Sequence, residues 1–235
     1  MSLRSASIPV TDPSAGLRIT EIFYSLQGEA NTAGLPTVFI RLTGCPLRCH
    51  YCDTTYSFEG GQRLSLEEII NTTTSFGTPF VCVTGGEPLA QPNCIPLLKQ
   101  LCDLGFQVSL ETSGALDISQ VDSRVSKVMD LKTPSSGEEK RNLLKNLEYL
   151  TAHDQIKFVI SHREDYEWSK QQVKDYKLNQ LVDCVWFSPA FAIEKGAVKL
   201  PDLAKDLAQW ILDDQLPVRF QLQLHKLLWN DETGR

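Results

Sequence analysis

Three cysteines within eight residues constrain this chain more than any other feature. Cys45, Cys49 and Cys52 form a C-x3-C-x2-C run inside Gly44–Thr55, GCPLRCHYCDTT. Spacings this short let successive sulfurs of a tight loop converge on one soft metal centre. A structural zinc site closes with four ligands. The nearest fourth donor, His50, is too close in sequence to fold back easily, so zinc requires a distant ligand. An iron–sulfur cluster on three cysteines leaves one iron without a protein ligand, open for chemistry. A disulfide fits poorly, because three thiols leave one over and the chain shows no secretory features. Spacing alone leaves cluster and zinc both open.

A second signal stands some thirty residues on, where Thr84-Gly85-Gly86-Glu87-Pro88 follows the apolar run Phe80–Val83. Two glycines there permit a backbone edge to approach a ligand closely, where a side chain would block it. Glu87 offers a carboxylate to an ammonium group. Taken alone, the segment reads equally as a strand-to-helix turn.

The chain of 235 residues carries a net charge of −6 and no basic run, which argues against a nucleic acid partner. No apolar run approaches the roughly 18 residues of a membrane span, and residues 1–18 lack a signal peptide's apolar core. The other cysteines, Cys82, Cys94, Cys102 and Cys184, fall in apolar periodic segments and read as core thiols. A reducing, cytoplasmic location follows.

Residues 1–18, rich in Ser, Pro, Thr and Ala, read as a flexible tail preceding one domain over 19–235. Strands are expected at 19–25, 37–42, 80–83, 107–110, 127–131, 155–160, 182–187 and 218–224. Helices are expected from Ser65, whose Ser-x-x-Glu pattern is a capping box, and over 92–104, 163–177 and 201–212. Each strand ends in a small polar knot: SLQGE, LTGC, VTGGEP, LETSG, DLKTPS, VISH, FSPA and LQLH. Ligand sites of parallel α/β folds collect at the carboxyl ends of strands, so these knots imply one shared rim. A closed eight-unit barrel takes about 250 residues. The expectation is therefore an α/β fold, an incomplete open (β/α) barrel with a mostly parallel sheet.

Several knot residues are candidates for binding. Glu111 can accept from a ribose, Lys132 or Ser136 can meet a carboxylate, and Ser188 can flank an adenine. Gln27 and Glu29 are separated by Gly28, so both can face one side. Arg41 interrupts the apolar strand FIRLTG, and a buried arginine needs a carboxylate or an anionic ligand. His225 follows the last expected strand and offers a cation or a hydrogen-bond donor. For each, a local ion pair or cap is the competing reading.

C-x3-C-x2-C followed by GGEP resembles the radical S-adenosylmethionine superfamily. That resemblance implies a 4Fe–4S cluster on Cys45, Cys49 and Cys52, with S-adenosylmethionine on the open iron. It places Gly85, Gly86, Glu87, Glu111, Lys132, Ser136 and Ser188 about that cosubstrate. SLQGE, Arg41 in its strand, CDTT, GGEP, ETSG, DLKTPSSG, FSPA and QLQLHK together are similar to the 7-carboxy-7-deazaguanine synthase family, over about 19–229. The resemblance implies ring contraction of 6-carboxy-5,6,7,8-tetrahydropterin with loss of ammonia, a step towards queuosine and other deazapurines. It further implies a pterin site at Gln27, Glu29, Arg41 and His225, magnesium held partly by Thr54, a flavodoxin or ferredoxin as electron donor, and a homodimer. The alternatives are a glycyl-radical-activating enzyme acting on a protein partner and a zinc-stabilised binding module.

Overall fold

The computed structural model describes residues 16–191, 202–230 and 232–235. Nine strands form one sheet: β1 (Leu17–Leu26), β2 (Pro36–Leu42), β3 (Gln62–Leu64), β4 (Phe80–Gly85), β5 (Gln107–Thr112), β6 (Ser126–Asp130), β7 (Gln155–Ile160), β8 (Cys184–Pro189) and β9 (Arg219–Phe220). Their order is β3-β1-β2-β4-β5-β6-β7-β8-β9. Every pairing from β2 to β9 is parallel, and β1 runs antiparallel between β2 and β3. The sheet is therefore an open, mostly parallel α/β array, as expected.

The helices are α1 (Leu66–Ser75), α2 (Cys94–Asp103), α3 (Arg163–Asp175), α4 (Leu178–Leu181), α5 (Asp202–Asp213) and α6 (Leu224–Trp229). Ser65 caps α1 as its sequence foretells: its hydroxyl accepts from Glu68 N, and Glu68 reaches back to Ser65 N. Pro201, expected to open α5, lies outside the described residues. So does the expected tail up to residue 15, but Leu17 and Arg18 already pair with β3. Order thus begins at least two residues before the alternation predicts, because Leu17 is buried against the core.

Strand parity divides the sheet cleanly. Ile40, Leu42, Val81, Val83, Leu110, Met129, Ile156, Phe158 and Phe187 face the helices and form two buried clusters. The intervening residues, Phe39, Arg41, Thr84, Glu111, Val128, Asp130, Lys157 and Val159, line a cavity on the other face. One face of the sheet thus supplies the core and the other supplies chemistry.

Two expectations fail here. SLQGE does not join the shared rim: β1 is antiparallel, so its exit lies at the amino ends of the parallel strands. The segment after it forms the cavity floor, with Asn31 N donating to Gln155 Oε1 at the start of β7 and Ala30 N to Gln221 Oε1. The expected strand 218–224 is only Arg219–Phe220, and Leu224 begins α6. Leu224 N donates to Gly28 O, which draws the chain into a helical turn beside the floor.

Candidate active site

The cysteine loop leaves β2 at Gly44, whose φ of +98° turns the chain and whose N–H donates to Ser57 O at 2.8 Å. Arg48 folds back to donate to Cys45 O and Leu47 O, and its guanidinium stacks over Phe58. Cys45, Cys49 and Cys52 are free, half-buried, and line one wall of the cavity. Among the described residues no three His, Cys, Asp or Glu are placed to hold a single metal ion. Three half-buried thiols in one loop are a soft donor set that fits an iron–sulfur cluster. Burial pushes the Cys49 thiol up to about 11, against the opposing pull of Lys132. Burial also raises Cys45. Both thiols must therefore release protons when they bind metal.

Two neighbouring knots shape this loop. Gly85 sits against the backbone of Leu42 in β2 and Gly86 against the loop itself: a Cβ on Gly86 would lie 2.3 Å from Gly44 O and 2.8 Å from Cys45 Cβ. These glycines thus satisfy a close approach of protein backbone, not only of a ligand. From DLKTPSSG, Ser136 O accepts from His50 N at 3.1 Å, and Glu138, just after it, accepts from Arg48 N.

Gly85, Gly86, Glu111 and Lys132 line the cavity, but Glu87 and Ser136 do not. Glu87 is wholly buried and points into the ETSG turn, accepting from Leu89 N, Thr112 Oγ1, Ser113 N and Ser113 Oγ. Its carboxylate is taken up by these neutral donors and cannot face an ammonium in the cavity. Ser136 is equally buried and donates to Thr133 O at 2.6 Å. Ser188 has inward parity and a hydroxyl without a hydrogen-bond partner among the described residues, yet it does not line the cavity.

Gln27, Glu29, Arg41 and His225 converge in the same cavity. Arg41 Nε bonds Glu21 at 2.7 Å, and its guanidinium lies over Phe23 and Tyr56. Burial works against the charge, but Tyr56, Glu21 and Glu111 outweigh it and raise its pKa. Its Nη groups make no further hydrogen bond among the described residues, leaving a fork of donors. Gln27 reaches Glu111 at 3.4 Å. Glu29 pairs with Lys157 and accepts from Gln223 Nε2. His225 projects from α6, and burial lowers its pKa despite Glu29 nearby. At neutral pH it is an uncharged donor or acceptor, not the cation the sequence allowed.

Thr54 lines the cavity beside Asp53, its hydroxyl 3.8 Å from Cys52 Sγ. Asp53 also pairs with Lys226 at 3.3 Å, which ties α6 to the cysteine loop. A hydroxyl with one thiol partner among the described residues and a partly exposed carboxylate are hard oxygen donors suited to magnesium, which takes few protein ligands. The sequence reading passed over Lys157 and Gln223. For Lys157 a signal existed, a cation in the apolar run QIKFVI.

A sequence model of the Radical SAM superfamily matches residues 39–132. The chain is 43% identical over 225 residues to a 7-carboxy-7-deazaguanine synthase of Koribacter versatilis, covering 92% of this chain and 99% of that one. It is 35% identical to another from Thermoplasma acidophilum, covering 92% and 99%. The fold resembles the crystal structure of QueE from Escherichia coli, with a TM-score of 0.70 at 23% identity over 89% of this chain and 94% of that one.

Proposed function

The chain belongs to the 7-carboxy-7-deazaguanine synthase family, and from that premise we propose that it converts 6-carboxy-5,6,7,8-tetrahydropterin to 7-carboxy-7-deazaguanine with loss of ammonia. The observation that carries this reading is one cavity with a free three-cysteine loop on one wall and Gln27, Glu29, Arg41 and His225 around the rest. Cys45, Cys49 and Cys52 would hold a 4Fe–4S cluster, with S-adenosylmethionine along Gly85, Gly86, Glu111 and Lys132 and near Ser188. When bound, these groups supply a reducing electron and a carbon-centred radical.

The protein's own part is orientation and charge. The fork of Arg41 suits the substrate carboxylate, since its Nη donors are uncommitted and its charge is fixed by Glu21. Glu29, lowered to about 2 by Lys157, His225 and Gln223 against the effect of burial, stays an acceptor for ring N–H groups. Gln27 can give and accept on the same edge. Neutral His225 donates or accepts without adding charge. Hydrogen bonds from Ala30 N to Gln221 and from Asn31 N to Gln155 fix the segment that carries Gln27 and Glu29. Magnesium, held partly by Thr54, would offset negative charge on the substrate.

No helix is long and apolar enough to cross a membrane among the described residues. We place the protein in the cytoplasm as a homodimer reduced by a flavodoxin or ferredoxin, without a nucleic acid partner. The test is an anaerobic assay of reconstituted enzyme with reductant, S-adenosylmethionine and the carboxytetrahydropterin. Deazaguanine should form, and deuterium from C6 of the pterin should enter the adenosyl 5′-methyl group. An intact cluster without product would overturn the reading, as would full iron content and activity in Cys49→Ala.

A further inference from the structure

Lys157 lies mid-strand in β7, flanked by outward-facing Ile156 and Phe158 that pack in the core. Parity turns it into the cavity, where its ammonium meets Glu29 from the floor, the two side chains 11% and 13% exposed. Desolvation makes such a pair a poor source of stability, since apolar residues of similar volume often serve as well. The ammonium has three donors. Glu29 takes one, and no other hydrogen bond from it occurs among the described residues. Burial opposes its charge, but Glu29, Asp130 and Glu111 raise its pKa above the ordinary lysine value. Glu29 keeps acceptor capacity beyond Lys157 and Gln223, because each carboxylate oxygen has two lone-pair sites. A fixed cationic donor thus stands beside a fixed anionic acceptor inside one lined cavity. A 2-amino-4-oxopyrimidine ring presents the complement along one edge: a carbonyl oxygen, then a ring N–H, then an amino group.

We propose that Lys157 is a specificity-determining residue, donating to the carbonyl at position 4 of the pterin while Glu29 accepts from N3–H and the 2-amino group. This assignment rests on the pterin reading above and adds the residue that reads the carbonyl. An analogue with an amino group at position 4 sets donor against donor at Lys157 and, having no N3–H, a lone pair against the Glu29 carboxylate, so the site rejects it strongly and Lys157 accounts for part of that rejection.

The experiment compares 6-carboxypterin with its 4-amino counterpart as inhibitors of reconstituted enzyme, in wild type, Lys157→Met and Lys157→Gln. Wild type should prefer the 4-oxo compound by ~100-fold. Lys157→Met should lose about tenfold of that preference, Glu29 still disfavouring the analogue at N3, while iron content and S-adenosylmethionine affinity stay near wild type and the melting temperature falls because Glu29 loses its buried partner. Lys157→Gln keeps a donor without charge and should retain more of the preference than Met. Undiminished discrimination in both variants would overturn the assignment, as would equal weakening of both compounds, which marks Lys157 as support for Glu29 alone. A wild type that turns over the pterin while the variants keep their preference sinks only the role of Lys157. A wild type with an intact cluster that makes no product and binds neither compound sinks the substrate reading itself.

Discussion

Glu87 is the residue where a ligand role and a structural role predict different measurements. Its buried carboxylate receives Leu89 N at 3.0 Å, Thr112 Oγ1 at 3.0 Å, Ser113 N at 2.7 Å and Ser113 Oγ at 2.5 Å. Two of these donors are backbone N–H groups that have no easy way to turn elsewhere. In Glu87→Gln one acceptor oxygen becomes an NH2 facing donors, leaving a buried donor unpaired at about 1–3 kcal/mol and weakening the charge-assisted bonds that remain. We expect a loss of about 2–4 kcal/mol in all, within the range of a broken buried network. For a chain of this size each kcal/mol lowers Tm by about 2–4 °C. Thermal unfolding of the cluster-free protein should therefore show Tm lower by about 5–15 °C, with no cosubstrate present. An unchanged Tm together with weakened S-adenosylmethionine binding would refute the reasoning, because it would put the carboxylate on the ligand and not on the ETSG turn.

Gly86→Ala puts a methyl 2.3 Å from Gly44 O, so the cysteine loop must shift, and reconstituted iron per chain should fall; a full iron complement would show that the contact relaxes freely. Arg41→Lys keeps the charge but loses the fork, and turnover at saturating pterin should fall by at least ~10-fold; a rise in KM alone would point to simple charge attraction. Glu29 is held at about 2 in the fold, below its ordinary ~4.3 in the unfolded chain. Its stabilising effect is therefore complete above that unfolded value and is lost as pH falls towards 2. The stability of Glu29→Gln, from urea unfolding followed by circular dichroism at a series of pH values, should rise less steeply than that of wild type between about 2 and ~4.3; identical slopes would remove Glu29 from the linkage.

The sequence by itself determined the local elements and the chemistry-bearing types. Alternation in FIRLTG and the Ser65–Glu68 capping box specify their own conformations through near neighbours, and the cysteine spacing names a soft metal site. The same logic that singled out Arg41 in an apolar strand was available for Lys157. What the chain could not reveal is which way β1 runs. Reversing that strand moves SLQGE from the rim to the floor, and antiparallel pairing is set by long-range hydrogen bonds with β2 and β3. His225 could not be read as helical either, because the turn at Leu224 is fixed by Gly28 O, far away in sequence. Glu87 is the sharpest case. Its motif advertises a ligand contact, and only the packing of β4 beside β5 brings the donors of Thr112 and Ser113 to consume its carboxylate. Residue type and spacing set what each group can bond, while tertiary proximity decides which partner reaches it first.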